Sequence, residues 1–237
     1  MFDETKVLSI LMGGGCLYGD IFAEEKRYTH VQLESERIEK LEKGVDKGVG
    51  IRVIHPWKTF YATTNSFEEK RLLELAAELR GFSEDKQERT IRRDKHIRAE
   101  YPFTITTDPE AVDMEKKIGM VKGLGSMVRK MEPRIRQARV MYRDTSQDIR
   151  LFTSEGMGIE DSRRQVILNL FIVGEENGEM QTAYEAIGGF YGFEFFTEEV
   201  VEALARKAAK RLSGLLSAVE APMGTKTVVL GSEAGGT

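Results

Sequence analysis

The chain has 237 residues, of which 41% are hydrophobic and 31% charged, with a formal net charge of −4. That length and balance fit an ordinary soluble globular chain of one large or two small domains, able to bury a core without disulfides. Acidic and basic residues are interspersed, which excludes the basic stripe of a nucleic-acid or anionic-membrane binder. The single cysteine, Cys16, excludes an intrachain disulfide and a zinc-spaced cysteine cluster.

No run approaches the ~18–20 apolar residues of a bilayer span, and Met1-Phe2-Asp3-Glu4 lacks the basic flank of a secretory signal. A cytoplasmic location is the expectation. Residues 2–12 read as a helix carrying Val7, Leu8, Ile10 and Leu11, closed by Gly13-Gly14-Gly15. Strand signals follow: Ile21, Phe22 and Ala23 within residues 18–27, then Val31 and Leu33 alternating with Gln32 and Glu34. Residues 37–43 fit a strand or a short helix. Residues 44–50, with Gly44, Gly48 and Gly50, read as a turn-rich link into a strand at 51–54, and 59–64 as another strand.

Asn65-Ser66 is an N-cap signal for a helix reaching Arg80, with Leu72, Leu75, Ala76 and Leu79 on one stripe. Residues 83–100 are nearly all polar or charged and read as a loop or mobile arm. Asp108-Pro109 is predicted to open a helix running toward Met131, weakened by Gly119, Gly123 and Gly125. Strands are predicted at 138–143, 149–153 and 165–173. A tight turn at Glu176-Asn177-Gly178-Glu179 then returns the chain along 180–187. Thr197 caps a predicted helix to about Ala218, with Val200, Val201, Leu204, Leu212, Leu215 and Leu216 as its stripe, and 225–230 reads as a last short strand.

Strands clustered before each long helix, without strict βαβα alternation, predict an α+β fold with largely antiparallel sheets and packed helices. The organisation reads as an α+β unit over 1–82, a charged linker and helix over 83–133, and a second α+β unit over 134–237. Each strand-rich unit is followed by a long helix.

Three stretches carry a family resemblance in conserved order. They are Tyr18-Gly19-Asp20-Ile21-Phe22-Ala23-Glu24, the segment from Val31-Gln32-Leu33-Glu34 through Gly44, Gly48-Val49-Gly50-Ile51-Arg52-Val53, and Leu212 through Pro222 with Thr227-Val228-Val229-Leu230-Gly231. Together they resemble the N-terminal region of the TldD/PmbA (modulator of DNA gyrase) metallopeptidases. The resemblance implies peptide substrates, zinc, and work as a homodimer or with a paralogous subunit. In that family His-Glu-x-x-x-His on a helix supplies two metal ligands and a general base. The resemblance places that motif just beyond the position matching Gly236-Thr237. No catalytic, cofactor-binding or metal residue is therefore carried over to this chain, and zinc is expected in a C-terminal catalytic region. The expected role is the substrate-cleft and scaffold portion of such a peptidase; the alternative is a stand-alone binding or assembly module.

Local candidates are few. His30, His55 and His96 are too scattered in sequence for a metal motif, and isolated histidines fill ordinary roles. Cys16, with no basic neighbour in sequence, reads as an inert thiol. The glycine clusters do not follow the strand-to-helix order of a dinucleotide loop, and Gly231 to Thr237 lacks the lysine of a phosphate loop. The acid pairs Glu24-Glu25, Glu175-Glu176 and Glu198-Glu199 read as solvated or helix N-terminal charge. Met120, Met127 and Met131 read as core or interface filler.

Overall fold

The computed structural model describes residues 2–13, 15–81, 90–99 and 104–232. Helix α1 (Glu4–Leu11) begins at Asp3, whose carboxylate accepts from the Thr5 and Lys6 amides. Two long strands follow, β1 (Tyr18–Glu34) and β2 (Arg37–Ile54), then β3 (Thr59–Thr64) and helix α2 (Glu69–Arg80). After a short strand β4 (Lys95–Arg98) come helix α3 (Met114–Met131), strands β5 (Ile135–Thr153), β6 (Met157–Glu176) and β7 (Glu179–Gly189), and helix α4 (Glu198–Leu216).

The expected α+β class holds, with the strands joined in one seven-stranded sheet. Its order is β3-β2-β1-β5-β6, and the outer edge of β6 carries β4 at one end and β7 at the other. Every pairing is antiparallel except β4 with β6.

Strand alternation sorts the side chains onto two faces. Ile21, Ala23, Val49, Ile51, Val53 and Phe152 share one face with α1 and α2, forming one apolar core. Farther along the same face, Val31, Leu33, Val140, Tyr142, Leu168 and Leu170 pack under α3 and α4. At roughly 1.5–3 kcal/mol per fully buried large side chain, the α4 residues Val201, Leu204 and Leu212 alone anchor that helix firmly. All four helices thus lie on one face, and no helix among the described residues covers the other.

Several expectations are corrected. Residues 44–50 are not a turn: they sit inside β2, paired with β1 from Glu24↔Gly48 to Tyr28↔Gly44. Residues 37–43 are strand. Residues 138–143 and 149–153 join through Asp144-Thr145-Ser146 into the unbroken β5. Within the expected charged arm, 83–89 and 100 fall outside the described residues. Residues 95–98, however, form β4, held by the Lys95 amide to the Gly156 carbonyl (3.1 Å) and the Ala99 amide to the Glu160 carbonyl (2.8 Å). Backbone pairing on a sheet edge does not require an apolar stripe.

Asp108-Pro109 opens a 3-10 turn (Pro109–Ala111), and α3 proper starts after Asp113. Helix α2 starts later than expected, at Glu69, because Ser66 Oγ accepts from the Glu68 amide and spends that cap on the preceding turn. Residues 225–230 form no strand; Val228, Val229 and Leu230 are exposed, and β-branched side chains alone do not make a strand without a hydrogen-bonded neighbour. The glycine segment after them lies outside the described residues from 233 on. The Asn177-Gly178 turn and the Thr197 cap stand as expected: both turn residues have positive φ, and Thr197 Oγ1 accepts from the Val200 amide.

Candidate functional site

The helix-covered face is polar midway between its two apolar cores. Arg27 reaches Glu110 (3.4 Å) and Asp148 (3.8 Å), while Arg164 reaches Asp108 (3.0 Å) and Asp148 (3.2 Å). The Asp148 carboxylate lies below the usual range because Ser162 and Arg164 stabilise its charge against the cost of burial, the largest single influence on it. A cleft of about 270 Å³ lies beside this network, lined by Glu25, Phe67, Arg98, Asp148, Arg150 and Ser162 among others. Asp148 and Arg150 in its lining are paired, with Arg164 and Glu4, which suits a structural seam.

The open face is different in kind. Register places Phe22, Glu24, Lys26, Tyr28 and His30 of β1 side by side with Gly50, Gly48, Asp46, Gly44 and Glu42 of β2. On the other side of β1 the same residues meet Leu151, Ile149, Gln147, Thr145 and Arg143 of β5. At Gly44 and Gly50 a tyrosine ring lies across the glycine. A Cβ on Gly44 would stand 2.5 Å from the Tyr28 ring, and one on Gly50 would collide with Tyr61. Side chains on these strand positions would push the rings off the sheet.

Two depressions result. One, of about 240 Å³, is floored by Gly48 and Gly50 and walled by Phe22 and Tyr61. The other, of about 250 Å³, is lined by Lys26, Tyr28, His30, Lys40, Glu42, Arg143 and Thr145. Glu42 pairs with Lys40 (3.0 Å) and approaches His30 (4.0 Å). Neither Lys26 nor Arg143 forms an ion pair among the described residues. Burial, with Arg143 and Lys40 close by, holds the His30 imidazole below its ordinary range.

The three histidines stay apart. His30 is on the open face of β1, His55 follows β2, and His96 lies in β4 near Glu160 (3.8 Å). Among the described residues no group of three or more His, Cys, Asp or Glu side chains could hold a metal. Sequence reasoning did miss one pair. Cys16 Sγ lies 3.5 Å from His55 Nε2, a contact between residues 39 apart that no spacing rule exposes. The thiol is buried and also donates to the Gly13 carbonyl at 2.8 Å. Glu175 and Glu176 pair with Arg136 and Arg134, and Glu198 and Glu199 occupy the first turn of α4. Met120 and Met127 pack against the second core.

The description "PmbA/TldA metallopeptidase domain 1" matches residues 19–81, and "PmbA/TldA metallopeptidase central domain" matches residues 107–216. The chain belongs to the PmbA/TldD metallopeptidase family. A metalloprotease of Methanocaldococcus jannaschii is 28% identical over 241 residues, covering 100% of this chain and 52% of that protein. A metalloprotease TldD homolog of Haemophilus influenzae is 25% identical over 222 residues, covering 91% of this chain and 46% of its own length. The chain thus spans about half the length of the curated relatives it matches. A Bacteroides thetaiotaomicron protein named as a modulator of DNA gyrase shares the fold, with a TM-score of 0.71 at 15% identity, over 92% of this chain and 50% of that one. TldE from Thermococcus kodakarensis does so with a TM-score of 0.62 at 14% identity, over 83% and 44%. No described helix of this PmbA/TldD family member is long and apolar enough to cross a membrane.

Proposed function

We propose that this chain is the non-catalytic, substrate-cleft and scaffold portion of a PmbA/TldD-type zinc metallopeptidase acting on peptides in the cytoplasm. The two units, 1–82 and 134–237 with 83–133 between them, act as one wall of the cleft. The open sheet face is that wall, and the zinc and its ligands belong to the half of the relatives' length that this chain does not span. The observation carrying the reading is the pair of family matches over 19–81 and 107–216 in a chain that spans about half the length of its relatives. A large, mixed aromatic and polar face without helical cover needs a partner surface, which favours pairing with a second copy or a paralogous subunit.

The encoding reading frame tests this. A continuation into His-Glu-x-x-x-His supports the peptidase reading. A stop codon directly after Thr237 favours the alternative, a stand-alone binding or assembly module on the same scaffold. Light scattering at micromolar concentration tests the association: a dimer or larger species is expected, and a clean monomer overturns it.

A further inference from the structure

We propose that the pocket formed by Lys26, His30, Lys40 and Arg143 on the open sheet face binds the free C-terminal carboxylate of an extended peptide. The inference rests on the reading of that face as a peptide-cleft wall and adds which end of the peptide goes where.

Charge marks the pocket. The chain is acidic overall, at −4, yet this pocket of about 250 Å³ gathers Lys26, Lys40 and Arg143 around a single carboxylate, Glu42. Glu42 is engaged by Lys40, which leaves Lys26 and Arg143 without an ion-pair partner among the described residues. Counting Asp46, which stands opposite Lys26 in the register, the pocket and its border keep one positive charge in excess, three cations against two carboxylates, with His30 held neutral beside them. That matches a singly charged carboxylate, to which an arginine donates in fork geometry. Tyr28 and Thr145 add hydroxyl groups at the rim.

The approach to the pocket supplies the rest. From Gly44 to Gly50 the open face of β2 carries only Asp46 as a side chain of its own, with the Tyr28 and Tyr61 rings lying over the two ends, and at roughly 3.3 Å per residue this track is about 20 Å long. It connects the basic pocket to the depression walled by Phe22 and Tyr61. An extended peptide of about six residues fits that length. Its carboxylate rests at Arg143 and Lys26, and an apolar side chain some five residues upstream rests against the two aromatic rings.

The test uses the 237-residue chain and a fluorescein-labelled hexa-alanine peptide with one phenylalanine near its N-terminus, made as the free acid and as the C-terminal amide. Fluorescence anisotropy should show the acid binding about tenfold tighter than the amide. The preference should fall below about twofold in Arg143→Gln and in Lys26→Gln, and persist in the control Arg206→Gln on α4. Each variant must keep the parent melting temperature; should one unfold, the other carries the test. Equal binding of acid and amide overturns the carboxylate subsite while leaving the face as a peptide surface. Failure of both peptides to bind overturns subsite and surface together. An acid preference that survives both substitutions places the carboxylate elsewhere and overturns the assignment. Displacement of the probe by inorganic phosphate at a much lower concentration than by acetate overturns it in favour of a phosphate site.

Discussion

Lys117 Nζ lies 2.6 Å from Asp144 Oδ2, with both side chains almost completely buried between α3 and the sheet. Tyr142 donates to the same carboxylate oxygen at 2.8 Å, and Lys117 also reaches Thr29 Oγ1 at 3.3 Å. Burial first, and the Asp144 charge second, push the Tyr142 hydroxyl well above its usual range, so it remains a donor. A buried pair of this kind costs most when only one partner is removed, because the other charge is left stranded.

Lys117→Met is therefore expected to destabilise the chain by about 3–5 kcal/mol, read from urea denaturation. Replacing Lys117 and Asp144 together by apolar residues should recover much of that loss. If the single and double variants unfold at the same urea concentration, the pair is not coupled as the geometry requires.

Gly44→Ala should cost about 1–2 kcal/mol, although alanine fits a strand better than glycine, because its methyl group would enter the space of the Tyr28 ring. In a Tyr28→Ala background the same substitution should become neutral or stabilising. A double-mutant cycle measures this, and additive effects would show that the ring does not depend on the missing side chain.

Glu132 is buried and receives both Nε and Nη2 of Arg134 at 2.8 Å. These hydrogen bonds hold its carboxyl below the ordinary value of 4.5. A depressed carboxyl stabilises the fold above the unfolded-state value and loses that contribution as pH falls through the folded-state value. Stability should accordingly decline below about pH 4.5. In Arg134→Met the decline should be shallower, compared by thermal melting at pH 7, 5 and 3.5.

Zinc content gives a fourth check. After dialysis against zinc and then buffer, elemental analysis of this chain should find far less than one metal per molecule. His30 on β1, His55 just after β2 and His96 in β4 stay apart, and Cys16 is buried against a carbonyl. One tightly held zinc per chain would contradict the assignment of the metal to another region.

Helices with a cap and a stripe were legible in the sequence, as Thr197 with Val201, Leu204 and Leu212 illustrates, and so was the Asn177-Gly178 hairpin. The long strands were legible only in part. In their middles, at 24–29 and 144–148, one face holds an ion-pair network and the other is open, so neither shows the apolar alternation that marks a half-buried strand. The glycines of β2 imitate a turn, yet at Gly44 and Gly50 the missing side chain makes room for a ring contributed by β1 or β3. The basic pocket was invisible for a simpler reason. Its residues come from three strands, and His30 meets Arg143 only through a register spanning more than a hundred residues.

That same register has a cost in time. Strand β1 is complete once residue 34 has been made, but its inner neighbour β5 ends at residue 153. At about 5–20 residues per second, a ribosome takes on the order of 6–24 s to cover that gap. Throughout it the nascent chain carries a 17-residue strand with one bare edge. Such an edge is a template for pairing with the wrong chain. The charged middle of β1, from Glu24 to Arg27, lies along that edge, and charged side chains are one of the ways an exposed strand edge is blunted.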